Sequence, residues 1–544
     1  MIYHKHLQFV VLSFLLTAGT LSGCGQRIKG KYKADTLTHD WKQTIPGNFS
    51  GQTKNTFDSI QITQFIKKHP KFSAYAGEIH DFYQRRGFAY AWFENKKLIE
   101  QANNLASRVL NLQNEGINQP APYQKELDSL IYNADIHQHQ PNIQTELMLT
   151  AQYFVFSKLA WQGMDDTMSR SARWYLPRKK VDYQQYLDSL LKETAKSQLP
   201  AEPVYRQYDL LRAFLKKYRE LAVRGDWSPI VLSAKIRPGD SAIVVPLIKK
   251  RLFELDDFHG DTLNRVFTTE LQDAVKRFQY RHGLLVDGLL NKATMAELNV
   301  PLKSRIEQLI VNMERSRWLP VNLHSDYLGV NIPEFKLHVY HADSLLWSCN
   351  VVVGQTVHQT TLFYGEIKYV VFSPYWEVPQ SIVRKEIIPQ LKKNPDYLAT
   401  HRMEITGYKE GLPVIRQLPG PENSLGLVKF LFPNNYNTYL HDTPSKSLFG
   451  ETTRAFSHGC IRVQEPAKLA NFLLKDKKGW DAQRIEKAMS AGKEQYVTIE
   501  NKVPVFITYF TAFIDREQRL NFRKDIYQLD GAMAGMLLND KHLP

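Results

Sequence analysis

Cysteine is scarce: the 544 residues hold three, Cys24, Cys349 and Cys460. A framework of bridges is therefore excluded, and at most one disulfide can form once Cys24 is set aside. In an oxidising compartment that bridge would consume a thiol nucleophile. No C-x-x-C or H-x-x-x-H pair accompanies His441, His458 and Cys460, so a tetrahedral zinc site lacks its remaining ligands. Long apolar runs are missing too. The run Leu7–Leu16 falls short of the roughly eighteen residues that span a bilayer, and nothing later approaches that length. Acidic side chains are outnumbered, 55 against 70 Lys plus Arg, for a net charge of +15. The basic residues are scattered rather than interleaved with aromatics, a pattern that argues against nucleic acid and suits a carboxylate-rich polymer.

A chain this long holds about three domains. Lys5 between His4 and His6, the run Leu7–Leu16 and then Leu21-Ser22-Gly23-Cys24 have the layout of a secretory signal. Residues 25–55 are poor in apolar positions and read as a tether. Residues 56–237 read as helical; Tyr205 to Val223, for example, places Leu210, Leu211, Phe214, Leu215, Tyr218 and Leu221 on one face. No catalytic constellation stands out there. Residues 238–300 read as a compact three-helix unit: Val244 to Leu255, a second helix opened by a capping box at Thr269-Glu270-Leu271-Gln272 and closed by Gly283, and, after the Asp287-Gly288 turn, Ala293 to Leu298. In 301–324, a linking helix from Lys303 to Trp318 ends before Pro320.

From Asp326 the apolar period switches to two, through Leu328, Val330, Ile332 and then Phe335, Leu337, Val339. Strands are expected at Lys368 to Ser373, Asn437 to His441 and Val505 to Ile514, so residues 325–544 form a mostly β unit. The fold class is multidomain α+β. Residues 379–427 interrupt the strand pattern with a helix from Ile382 to Leu391, flanked by Arg384, Lys385, Lys392 and Lys393, and then a Pro- and Gly-rich stretch. Insertions of this length beside an active site are commonly lids; a solvated surface excursion is the alternative.

The chemistry centres on Tyr439-Leu440-His441-Asp442-Thr443 and Ser457-His458-Gly459-Cys460-Ile461-Arg462-Val463, which place a histidine and a cysteine nineteen positions apart. A nucleophilic cysteine reacts as thiolate and needs a base, here His441 or His458. The alternative is a small buried hydrophobe. That alternative suits Cys349, which lies in the alternating face Trp347, Cys349, Val351, Val353. Gly459 allows close backbone approach, so its amide and that of Cys460 are oxyanion donors, with the Tyr439 hydroxyl as a further one. Arg462 either pairs with a substrate carboxylate or forms a structural ion pair.

Ser457-His458-Gly459-Cys460, with fifteen residues between His441 and the serine, resembles the active-site signature of L,D-transpeptidases with a YkuD-type catalytic domain. The longer run from Phe432 through Thr443-Pro444 to Arg462-Val463 is similar to the large YcbB-type periplasmic members. Ala274 to Gln279, Gly283-Leu284, Asp287-Gly288 and Thr294 resemble the type 1 peptidoglycan-binding domain, and Leu21 to Cys24 resembles a bacterial lipobox. Residues 56–237 loosely resemble the scaffold region of these enzymes, and 379–427 their substrate-capping subdomain. Thr360-Thr361-Leu362-Phe363-Tyr364-Gly365 departs from the Thr-Pro-x-Gly run of smaller members.

The resemblance implies a mixed β-sandwich, with Cys460 as nucleophile and His441 as general base and acid. It further implies that the backbone carbonyl of Asp442 orients His441, and that Ser457, His458 and Arg462 meet substrate. No metal or cofactor is implied. The implied reaction releases D-Ala from a tetrapeptide stem through a cysteine thioester and is open to carbapenem acylation. An amine of a second stem would then give a 3→3 crosslink, a lipoprotein lysine would give attachment, and water would give carboxypeptidase activity. The implied partners are peptidoglycan stem peptides, other cell-wall enzymes and a membrane reached through a lipid on Cys24. The implied location is the periplasm, at the outer membrane ahead of the inner. An ordinary signal peptide cut near Gly23, a non-catalytic peptidoglycan-binding lipoprotein and a cysteine peptidase of proteins are the competing readings.

Overall fold

The computed structural model describes residues 55–94, 96–132, 141–192, 202–320, 325–342 and 344–538. The expected signal, Cys24 and nearly all of the tether lie outside the described residues.

The helical part runs from Ile60–Lys68 to Gln207–Val223. Helix Ile143–Phe156, capped by the Asn142 side chain, is apolar around almost its whole circumference and is accordingly buried on nearly every side. Gln207–Val223 buries one stripe, Tyr208, Leu211, Leu215, Tyr218 and Leu221. Between these helices Glu115 and Glu202 face Arg108 and Arg212, with contacts of 2.7 to 3.4 Å among fully or nearly buried groups.

The three-helix unit follows the expected pattern at Val245–Glu254, Thr269–Arg281 and Lys292–Leu298. Its second helix is capped one residue earlier than expected. Thr268 has the extended backbone of a cap and its Oγ1 accepts from Leu271 N at 3.3 Å, so the third helical position is leucine and no reciprocal capping box forms. Gly283 lies at φ +64°, and a Cβ there would sit 2.7 Å from Arg523 Cδ, so glycine also lets this unit dock against the C-terminal segment.

Helix Leu302–Trp318, expected as a link, is buried along most of its length. Leu309, Ile310 and Met313 join the helical core, while Val311 and Trp318 join the core of the sheet. Arg317 donates to Ala160 O at 2.8 Å and Glu115 O at 2.6 Å and pairs with Glu314. Glu314 accepts from Met164 N at 2.6 Å and Trp318 Nε1 at 3.0 Å. On the sheet side Asn312 Nδ2 donates to Thr511 Oγ1 at 2.8 Å and Arg315 pairs with Asp530 at 2.7 Å.

The alternating segments from Asp326 form one mixed ten-stranded sheet. Asp326–Asn331, Lys336–His341 and Ser344–Gly354 are antiparallel neighbours. Gln495–Thr508 runs parallel to Asp326–Asn331 and antiparallel to Leu362–Phe372. Val428–Leu431 pairs with both Leu362–Phe372 and Leu440–His441, so the strand path closes on itself. Trp174–Tyr175 of the helical part adds parallel to Leu362–Phe363.

Two expected strands differ. Only Leu440–His441 of the 437–441 stretch is paired, because Asn437 takes a left-handed φ of +53°. The expected strand Val505 to Ile514 is broken: Gln495–Thr508 ends in the sheet, and Ala512–Ile514 forms a hairpin with Leu520–Phe522 that packs into the helical core. The insertion carries helical turns from Gln380 to Lys393. Its Pro- and Gly-rich part is a hairpin, Met403–Lys409 with Leu412–Gln417, turned at Glu410-Gly411 where both φ values are positive. Val378, Val383, Ile387 and Ile415 give the insertion a core of its own.

Burial alone would raise the Glu202 carboxyl, but Arg108 and Arg212 overcome that and hold it down to about 2 from its ordinary 4.5. Its contribution to stability is therefore complete above about pH 4.5 and is lost as pH falls toward 2. Glu202→Gln leaves two buried guanidiniums sharing Glu115, with Asp209 beside Arg212 as the remaining carboxyl, and is expected to lose about 3–5 kcal/mol at pH 7. Urea unfolding followed by tryptophan fluorescence measures this, and the gap from wild type should narrow below pH 4.5.

Candidate active site

Leu440–His441 and Ile461–Val463 lie side by side and parallel, with Leu440 opposite Ile461 and His441 opposite Arg462. Ile461 N donates to Tyr439 O at 3.1 Å. Leu440 and Ile461 are fully buried in the sheet core. Strand alternation then turns Tyr439, His441, Cys460 and Arg462 to the other face. Cross-strand pairing sets Tyr439 beside Cys460 and His441 beside Arg462.

The contacts agree with that placement. The thiol donates to Asn437 O at 3.7 Å, and Tyr439 lies close enough for its hydroxyl and backbone to favour the thiolate. The Tyr439 and His441 rings lie 5.6 Å apart. Burial raises the Cys460 thiol above its ordinary 9.0, while Tyr439 and the Arg462 charge pull it down without overcoming burial. Burial and then Arg462 push His441 down to about 3, against the opposing carbonyls of Asp442 and Leu425. Its Nδ1 donates to Asp442 O at 2.5 Å, which leaves Nε2 as the basic nitrogen. Among the described residues no hydrogen bond joins His441 to Cys460. Burial thus disfavours the charged form of both the thiol and the imidazole.

The catalytic loop is shaped from within. Ser457 Oγ donates to Cys460 O at 2.5 Å and accepts from Gly459 N at 3.1 Å. That bond engages the Gly459 amide, expected as an oxyanion donor, within the loop. Ser457, expected to meet substrate, is buried and braces the loop through these bonds. Gly459 sits at φ +114°, a backbone that side chains strain. Its carbonyl accepts from Thr360 Oγ1 at 2.9 Å, and Thr360 N donates to Tyr527 Oη at 3.2 Å.

The Asp442 side chain does not face the histidine. It accepts from Leu427 N at 2.9 Å and pairs with Lys446. His458 Nε2 meets Glu386 Oε1 of the insertion at 2.9 Å and stacks 5.0 Å from His358. No carboxylate among the described residues pairs with Arg462, and its Nε is buried without an acceptor, so the structural ion pair is not formed. Cys349 is buried, and burial pushes its thiol up to about 11. Thr360, Tyr527 and Glu386 carry no sequence signal of their roles; only the tertiary fold brings them to this loop.

Removing the hydroxyl in Tyr439→Phe takes away a donor worth about 1.5–3 kcal/mol to a charged acceptor. The Cys460 thiol should then titrate about 1–2 pH units higher. Iodoacetamide alkylation across pH measures this, with buried Cys349 silent. Arg462→Met removes a charge that disfavours imidazolium, so His441 should titrate above about 3, toward its ordinary 6.5, in imidazole NMR spectra.

The L,D-transpeptidase catalytic domain model, YkuD, matches residues 325–493, which include all four strand-face residues. A scaffold domain model matches 77–215, and a model described as "Putative peptidoglycan binding domain" matches 244–298. A curated protein of Haemophilus influenzae described as "Putative L,D-transpeptidase" is 32% identical over 240 residues, 41% of this chain and 48% of its own length. The match therefore spans about half of that relative. Solved structures of L,D-transpeptidases from Xylanimonas cellulosilytica and Stackebrandtia nassauensis align at 13% and 14% identity over 51% and 52% of this chain. The alignments cover 99% and 96% of those chains with TM-scores of 0.17 and 0.21, too low to establish a common fold. Residues 325–493 are an L,D-transpeptidase catalytic domain of the YkuD type, on a chain that also holds a scaffold domain and a domain of the peptidoglycan-binding type.

Proposed function

We propose that the chain forms 3→3 crosslinks in peptidoglycan through a thioester on Cys460. The observation that carries this reading is the single strand face on which a buried neutral imidazole, a half-buried thiol and an unpaired guanidinium meet. Cys460 attacks the carbonyl of the third stem residue as His441 takes the thiol proton, and His441 returns that proton to the leaving amine of D-Ala. The side-chain amine of a second stem then attacks the thioester, loses its proton to His441 and frees the thiol. Arg462 pairs with a stem carboxylate. The Cys460 amide, with no acceptor among the described residues, and the Tyr439 hydroxyl steady the oxyanion. Asp442 holds the imidazole through its backbone carbonyl, and His458 with Glu386 closes the insertion over bound substrate.

The competing acceptors are a lipoprotein lysine and water. The division at residues 56–237, 238–300, 301–324 and 325–544, the capping role of 379–427 and the periplasmic location with a lipid on Cys24 belong to the same proposal. The peptidoglycan-binding type of domain at 244–298 supports contact with the wall.

Mass spectrometry of tetrapeptide muropeptides incubated with the full chain in detergent tests the reading. Loss of D-Ala with dimers, absent in Cys460→Ala and reduced about 10²–10⁴-fold in His441→Gln, is the expected result. Trimming without dimers would assign a carboxypeptidase, and an untouched substrate would sink the transpeptidase.

A further inference from the structure

Trp174 and Tyr175 leave the helical part and pair parallel with Leu362 and Phe363 of the sheet. Alternation divides them. Trp174 is buried and packs edge-on against Trp318 at 5.2 Å, so Tyr175 faces the opposite way and is 38% exposed. Its ring lies 5.8 Å from that of Tyr436, which is 42% exposed and backed at 4.9 Å by Phe363. Two large rings held half-open together on an apolar base are a surface that folding alone does not call for.

The position of Tyr436 is firmly set. Asn434 accepts from Tyr436 N at 2.9 Å and donates to Thr438 O at 2.8 Å. That brace holds Asn437 in its left-handed turn with its carbonyl on the Cys460 sulfur. Tyr436 is thus the residue immediately before the carbonyl that touches the nucleophile. Arg173, on the same edge, donates to Gln359 Oε1 at 2.6 Å, and Gln359 O is the backbone atom nearest a Cβ placed on Gly459. The helical part therefore reaches both sides of the catalytic loop.

We propose that Tyr175 and Tyr436 form a stacking platform for the sugar rings of the glycan strand from which the reacting stem hangs. The inference rests on the peptidoglycan reading above. A pyranose presents a face of C–H bonds that packs on the electron-rich face of an aromatic ring, and two tilted rings side by side accept a disaccharide. Three extended residues reach about 10 Å, and Tyr436 directly precedes Asn437, whose carbonyl lies 3.7 Å from the Cys460 sulfur. The helical part in this arrangement makes the enzyme select stems still attached to sugar over free peptides.

The test compares a disaccharide-tetrapeptide with the free tetrapeptide as donors, using the full chain. Tyr175→Ala and Tyr436→Ala should each raise KM for the disaccharide form about tenfold, with kcat unchanged and KM for the free peptide unmoved. Tyr436→Phe, which keeps the ring, should retain the wild-type KM. Equal rises on both donors, or no rise on either, would overturn the platform. An independent measurement is calorimetric binding of an N-acetylglucosamine tetramer to Cys460→Ala. Loss of that binding on adding Tyr175→Ala supports the platform, and undiminished or absent binding removes it. If wild type turns over neither donor, the transpeptidase reading falls, and the tetramer titration still decides the platform.

Discussion

Helix Leu302–Trp318 belongs to two hydrophobic cores at once, and the relation between the helical part and the sheet depends on it. A helix with one apolar stripe serves one neighbour; this one carries Leu309, Ile310 and Met313 toward the helices and Val311 and Trp318 toward the sheet. Its polar residues are not solvent-facing relief between these stripes. Arg317, Glu314, Asn312 and Arg315 are buried and each has partners in a segment far away in sequence. Buried charges that lose a partner cost several kcal/mol, so these contacts fix one relative arrangement rather than a family of them. The edge strand Trp174–Tyr175 follows from that arrangement, since Trp174 packs on Trp318.

The reactive face depends on the same economy of position. Leu440 and Ile461 anchor two short parallel strands in the core, and alternation does the rest. Burial raises the thiol and lowers the imidazole, so the surroundings of each oppose its charged form. A thiol held protonated by burial reacts less readily with alkylating and oxidising agents. Arg462 works in both directions, favouring the thiolate beside it and opposing the imidazolium across the strand.

Much of this was legible in the sequence because it is local. The helix expected from Lys303 to Trp318 begins one residue earlier, the period of two from Asp326 is a sheet, and the Ser457–Cys460 loop lies beside His441. What stayed hidden depends on tertiary neighbours or on a choice between adjacent equals. Thr268 and Thr269 are equally good caps on paper, and backbone angles decide between them. Strand Met403–Lys409 of the hairpin is exposed or half-buried on both faces, so no alternation marks it. Gly459 offers a free amide until Ser457, two residues earlier, turns out to hold it.

The insertion is fastened unequally at its two ends. Its helical turns reach the catalytic loop through one half-exposed pair, Glu386 with His458. Its return leg is bound into the site: Leu427 N reaches Asp442, the Leu425 carbonyl bears on His441, and Gly426 leaves no room for a Cβ against Asp442. The insertion is therefore not a detachable cover. Trimming it back to the sheet would take the Leu425 carbonyl from His441 and the Leu427 amide from Asp442, contacts that help to hold the imidazole in place.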